Sequence, residues 1–391
     1  MLKTVIGSSS IMSFALFGDS LLYAILPIYA EKFGLTFVMV GILLSINRFV
    51  RVLTYGIINN LINKFGKRNM CILAAVLATL STATYGLSLG FISLFIARIV
   101  WGIAYSILVL STLFYAVEYK KRAGTRVGIS QSIQRLGSIL SLLIGTWYVS
   151  YVGPEMIFII MAILTSLGIF IAFSLPKEKV NKNKDNSYKF QFKKPNSFEC
   201  LYFLQGYGVD GLFAITVTLM LAEQTQLSLA VLGGGALLAL RHFGEAIASP
   251  IFGTIADYIG AKKVFIISCI LIVVGFLLIS IEMIVTGAII LLIFRGAMAS
   301  LGPALIAQSN KNDNKLKNNL SRMQTYRDLG AAIGPIVTGA TLSYFSPEKQ
   351  HLIIGIICLI PKTPNISMGI CIGENPCLGI IKRNFRRACW R

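Results

Sequence analysis

The sequence predicts an all-α polytopic membrane protein of twelve spans, built as two six-helix bundles in a parallel pseudo-repeat, with the last span shortened or aberrant. Three observations predict it. Only 13% of the 391 residues are charged and 55% are hydrophobic, whereas soluble proteins carry roughly 25% charged residues. Apolar runs of about 20 residues, the length that crosses a bilayer, recur along the chain. The few polar residues inside those runs recur in the same order in each half. Unpaired backbone groups are too costly in hydrocarbon, so each run reads as a helix. β-Barrel strands would be shorter and would alternate apolar with polar residues.

Eleven spans are read at 5–30, 36–59, 69–90, 92–117, 127–151, 154–175, 199–221, 228–255, 263–283, 286–308 and 322–345. A twelfth starts near His351 and falters at Pro361. The first run follows Lys3, but it is too long for a signal peptide and has no small-residue cleavage site.

The formal charge of +20 is explained by topology. With the N-terminus in the cytoplasm, the inward loops hold Lys64, Lys67 and Arg68; Lys120, Lys121, Arg122 and Arg126; seven lysines from Lys177 to Lys194; Lys262 and Lys263; and Lys311, Lys315, Lys317 and Arg322. The outward loops hold Lys32 and Lys349. This is the positive-inside bias of a protein in a bacterial inner membrane, and no nucleic-acid partner is needed to account for it.

The polar stretch KEKVNKNKDNSYKFQFKKPNSFE, Lys177 to Glu199, reads as a flexible linker. The expected organisation is an N-terminal bundle over 1–176, a cytoplasmic linker over 177–198, a C-terminal bundle over 199–360 and an atypical basic tail over 361–391. The tail carries two early prolines, three cysteines and four arginines in its last ten residues. It is read as the product of a shifted or truncated reading frame near Leu359 to Lys362, or as a poor span with a basic end.

The halves overlay at a shift of about 191 to 197 residues. GILLSINRFVR from Gly41 lies over GALLALRHFGE from Gly235, NNLINKFGKR from Asn59 over GTIADYIGAKK from Gly253, and QSIQRLG from Gln131 over QTYRDLG from Gln324. Arg98 lies over Arg295 and Asp19 over Asp210. An even number of spans per half gives both repeats the same orientation, related by an axis along the membrane normal.

At this point the chain resembles the major facilitator superfamily, up to about Leu359. GTIADYIGAKK is similar to that family's loop between paired spans, G-x-L-A-D-R-x-G-R-R, with Gly253, Asp257, Gly260, Lys262 and Lys263 in the matching places. In the first-half copy Asn63 replaces the acid and Asn59 the first glycine, while Gly66, Lys67 and Arg68 remain. ARIVWG from Ala97 and RDLGAAIGP from Arg327 resemble the family's fourth and eleventh spans. The fifth span departs: GSILSLLIG from Gly137 lacks the proline of the exporters' G-x-x-x-G-P signature. The resemblance implies a secondary active transporter that moves a small solute by alternating access. It also implies that the loop motif is a conformational latch formed by Gly253, Asp257, Gly260, Lys262, Gly66, Lys67 and Arg68, with Arg327 and Asp328 holding helices together.

Charged residues inside spans line polar cavities or pair with one another. Arginine suits an anionic solute, because its planar fork matches a carboxylate and stays charged. Arg48, Arg98, Arg241 and Arg295 are therefore the candidate substrate-binding residues. Arg48 and Arg51 are three apart and share a helix side; Arg241 and Glu245 are four apart and positioned to pair with each other. Asp19, Asp210 and Glu245 are the candidate proton-coupling groups, because a carboxylate in a poorly solvated cavity can exchange a proton near neutral pH. Arg135 and His242 are further intramembrane polar groups, and Asp19 is also read as a fixed counter-charge to Arg48.

The expected function is a proton-coupled permease for a small organic anion or zwitterionic metabolite, acting as a monomer in the lipid bilayer. The alternatives are a multidrug efflux antiporter, with Asp19 binding the cation, and a non-transporting sensor or inactive product. No phosphate loop, nucleophile elbow, paired metal ligands or C-x-x-C pair is present in the sequence. No enzyme activity, cofactor or metal is therefore expected.

Overall fold

The structure, a computed structural model, describes residues 2–359 apart from 27–28, 120, 178–193, 218–219, 221–226, 311 and 343. Most of the expected linker and all of the basic tail lie outside the described residues.

The first half runs α1 Leu2–Ile25, α2 Phe37–Phe65, α3 Lys67–Gly86, α4 Gly90–Val117, α5 Ala123–Leu140 and α6 Pro154–Ser174. A π-helical turn, Ser141–Gly145, carries α5 on into a short helix, Thr146–Val152. The second half runs α7 Ser197–Gln205, extended by a π-helical stretch Gly206–Phe213, then α8 Leu227–Ile259, α9 Ala261–Ser280, α10 Ile284–Ser309, α11 Asp313–Thr341 and α12 Pro347–Leu359. Among the described residues, nine helices are long and apolar enough to cross a membrane.

Two helices extend beyond the apolar runs read from the sequence. Helix α11 begins at Asp313, nine residues before the apolar run, because hydropathy ends where lipid ends while a helix continues wherever its first turn is capped. Here the Asn312 side chain accepts from the backbone N–H groups of Asn314 and Lys315. Helix α8 likewise continues to Ile259 and carries Asp257 beyond the expected span. In contrast, α1 stops at Ile25 and gives way to turns before Gly34.

Repeat-related turns join α2 to α3 and α8 to α9. Gly66 has φ 85° and Gly260 has φ 99°. A side chain is strained at such angles, so both copies of the loop keep glycine there even though the first has lost its acid. Trp147 and Tyr151, at the far end of the α5 extension, are 63% and 70% exposed and stack edge-on at 5.3 Å. Amphipathic rings in that position suit a membrane–water boundary.

The halves meet along two seams, α2 against α11 and α5 against α8. These four helices carry Arg48, Arg51, Arg135, Arg241, Glu245, Arg327 and Asp328. Charge is thus concentrated where protein faces protein, which spares it the lipid.

Candidate functional site

In the first half, Arg98 of α4 is fully buried. Its Nη1 pairs with the Asp19 carboxylate of α1, its Nε donates to the Leu43 carbonyl at 2.9 Å, and it reaches the hydroxyls of Tyr85 and Tyr23 at 3.4 and 3.3 Å. Tyr23 in turn donates to the Leu44 carbonyl at 3.0 Å. The counter-charge of Asp19 is therefore Arg98 and not Arg48, which corrects that expectation. The enclosure also corrects the expectation that Arg98 presents its guanidinium to solute in this conformation.

The second half repeats the pair and enlarges it. Arg295 of α10 contacts Asp210 at 2.9 Å through Nη2 and at 3.1 Å through Nε. Its Nη1 lies 2.6 Å from Glu245 of α8. Asp210 also receives Arg241 at 2.9 Å and has Arg327 at 3.9 Å. Glu245 receives Arg135, from α5 of the other half, at 2.6 Å. The sequence places Arg241 and Glu245 four apart on one helix, but each takes a different partner, so that expected pairing is not the one formed. Arg327 belongs to this cluster and reaches from α11 to Asp210 of the seventh span.

Asp328 instead crosses to the first half, where Arg51 Nε lies at 3.1 Å and the Tyr55 hydroxyl donates to it at 2.7 Å. The Arg51 guanidinium also stacks 4.3 Å from the Tyr105 ring centroid. One turn along α11, the Ala331 carbonyl accepts from Arg48. Arg48 and Arg51 do share a helix side, and both reach α11, Arg51 through an ion pair and Arg48 through a single bond from Nη1 to a backbone carbonyl.

The exposures sort the arginines. Arg51, Arg98, Arg135 and Arg295 are buried, whereas Arg48, Arg241 and Arg327 are half-buried. Arg241 keeps a buried Nε without a hydrogen-bond partner, and Arg48 has electrostatic reach of both Asp210 and Arg241. A small cavity beside the cluster is lined by Tyr202, Gln205, Glu245, Arg295, Gln324 and Arg327. The Oε1 of Gln205 is buried there with no partner.

The loop motif sits at the end of the bundle that carries the basic loops. Asp257 accepts from the backbone N–H of Gly124 at 3.0 Å, and from the N–H and hydroxyl of Thr125 at 2.7 and 2.8 Å. It thereby satisfies free amides in the first turn of α5, where the helix dipole favours an anion. Gly253 permits the approach: a Cβ there would lie 2.2 Å from the Gly124 carbonyl oxygen. The degenerate copy faces α11 with neutral groups. Asn63 accepts from Lys317 at 2.8 Å, and Asn59 donates to Asn318 at 2.6 Å. The basic end of the first copy has contacts within its own half. Lys67 lies 3.3 Å from Glu118, Arg68 donates to the Phe173 carbonyl at 2.6 Å, and Lys262 is exposed.

The profile of the Major Facilitator Superfamily matches residues 9–204 and again 198–360, one match per half. The chain belongs to the major facilitator superfamily. Its fold is similar to that of the proton:xylose symporter XylE bound to 6-bromo-6-deoxy-D-glucose, with TM-score 0.73 at 12% identity, over 92% of this chain and 93% of that one. It is also similar to the E. coli Fucose:proton symporter FucP, with TM-score 0.71 at 13% identity, over 91% and 97% of the two chains. At such identities the likeness speaks for the fold. A Staphyloferrin B transporter of Staphylococcus aureus (strain NCTC 8325 / PS 47) is 29% identical over 117 residues, which is 29% of this chain and 28% of that transporter's length. The protein is a multi-pass membrane transporter of the superfamily and a permease rather than an enzyme.

Sequence reasoning does not single out Tyr23, Tyr55 and Tyr85. Tyrosines are common in spans, and only the fold shows that these three point at arginine–carboxylate pairs. It names Arg51 and Arg135 only as intramembrane charges. The signal for them was present: the repeat sets Arg51 over Glu245 and Arg135 over Asp328, opposite charges at equivalent places.

Proposed function

We propose that the protein is a proton-coupled secondary transporter of an organic anion, working in a bacterial inner membrane with its N-terminus in the cytoplasm. One observation carries the choice of an anion. At membrane depth, Asp19, Asp210, Glu245 and Asp328 each already hold an arginine, while Arg48, Arg241 and Arg327 stay half-buried with guanidinium groups only partly engaged. A lipophilic cation would have to break an existing ion pair to reach a carboxylate, whereas an anion meets donors that are ready.

Arg48, Arg241 and Arg327 form the solute-facing set, and Arg295 and Arg98 hold the carboxylates behind it. Asp19 is the coupling group. It has one ion-pair partner and a 12% exposed side chain, so protonation would release a single pair instead of a network. With the basic loops in the cytoplasm, the Asp257 and Asn63 contacts tie the halves together on that side. The relative named as a Staphyloferrin B transporter supports a metabolite cargo over an arbitrary drug.

The reading is tested by a transport screen in proteoliposomes, with and without an imposed pH gradient. Gradient-dependent uptake of radiolabelled carboxylates is expected. Uptake confined to lipophilic cations would refute it.

A further inference from the structure

At membrane depth the chain holds seven arginines, Arg48, Arg51, Arg98, Arg135, Arg241, Arg295 and Arg327, against the four carboxylates. The excess is not spread evenly. Asp19 with Arg98 and Asp328 with Arg51 are one-to-one pairs. Everything left over falls on one place, where Arg135, Arg241, Arg295, Arg327 and the neighbouring Arg48 surround Asp210 and Glu245. That is an excess of three positive charges on a cluster drawn from both halves.

Buried charge of one sign is unstable unless something neutralises it. Asp210 is crowded with guanidinium groups, and a cluster so loaded is incomplete without a further anion. The groups left to receive one come from three helices, Arg48 on α2, Arg241 on α8 and Arg327 on α11, so they present separate forks and not a single pocket for one carboxylate. Their donors include the unpartnered Nε of Arg241. We propose that the solute is a multivalent anion with three carboxylates on a compact skeleton, one for each of Arg48, Arg241 and Arg327. This rests on the anion reading and narrows it. Because Arg48 belongs to the first half and the other two to the second, such a solute also ties the halves together. A monocarboxylate has no means to do so.

Isothermal titration calorimetry of the detergent-purified wild-type protein tests this at pH 8 and fixed ionic strength, with butyrate, glutarate and tricarballylate as probes of one, two and three charges. Affinity is expected to rise at each step, by about tenfold or more per carboxylate if each new fork contributes about 1.4 kcal/mol. Arg48→Gln and Arg327→Gln are each expected to lower tricarballylate affinity to that of glutarate, while Arg48→Lys keeps the charge and most of the affinity. The wild-type series alone decides the matter if a variant fails to fold. Equal affinity for all three probes would overturn the trivalent site and leave the anion reading standing. Binding of none of them would overturn both.

Discussion

Arg51 on α2 pairs with Asp328 on α11, and the residues the repeat sets over them, Glu245 on α8 and Arg135 on α5, make the same inter-half pair with the charges exchanged. One kind of ion pair therefore closes both seams, with the first half supplying both cations and the second half both anions. Exchanging both partners of one seam should be tolerated where single changes are not. Arg51→Asp alone would set a carboxylate against Asp328 and open the α2–α11 seam, whereas Arg51→Asp with Asp328→Arg should restore it. Thermal unfolding in detergent checks this, with the double variant expected closer to wild type than either single one. Additive losses would show that the pair carries no coupling.

Asp19→Asn leaves the buried Arg98 without its counter-charge, and removal of one partner from a buried pair costs about 3–5 kcal/mol. The variant should unfold at a clearly lower temperature and should lose proton-driven uptake. Asp19→Asn combined with Arg98→Gln should regain much of the stability but none of the coupling, because Tyr23, Tyr85 and the Leu43 carbonyl can hydrogen-bond a neutral amide. Coupled uptake by the double variant would remove Asp19 from the mechanism.

The Asp257 contacts to the first turn of α5 are charge-assisted, and such bonds contribute about 1.5–3 kcal/mol each. Asp257→Ala should shift the population toward a state open at the basic-loop end by at least about tenfold, the equivalent of about 1.4 kcal/mol. Spin labels at Lys121 and Lys262, both exposed at that end, would report a longer distance in the variant. An unchanged distance distribution would mean that the seam is closed by other contacts.

Gly253→Ala should act in the same direction without touching charge. Its Cβ would meet the Gly124 carbonyl oxygen at 2.2 Å, and backbone against backbone cannot yield as a side chain can. The same pair of labels should separate. Asn63→Ala, on the degenerate copy, removes a bond from Lys317 and should have a smaller effect than Asp257→Ala.

The architecture was legible because lipid forbids most alternatives: long apolar runs must be helices, and rare polar residues mark the repeat. Asp19, Asp210, Arg98 and Arg295 were found as intramembrane charges, and the repeat put each acid over its equivalent. Partner choice was not legible. Arg241 and Glu245 sit in register to pair along α8, but the deeper attraction of Arg295 and Arg135 claims Glu245, and Asp210 claims Arg241. Helix spacing says which residues are neighbours on one helix and nothing about what faces them. The π-helical stretch Gly206–Phe213, which carries Asp210, was equally hidden, since an inserted residue leaves no mark on an apolar run. Such stretches are frequent at functional sites.

The most direct measurement is proton flux in proteoliposomes holding a pH-sensitive dye, with carboxylates and lipophilic cations added in turn to wild type and to Arg48→Ala. An anion site between the halves predicts that carboxylates drive the flux in wild type and that Arg48→Ala, though correctly inserted, abolishes it. Flux driven by lipophilic cations, or carboxylate flux undiminished in Arg48→Ala, would contradict it.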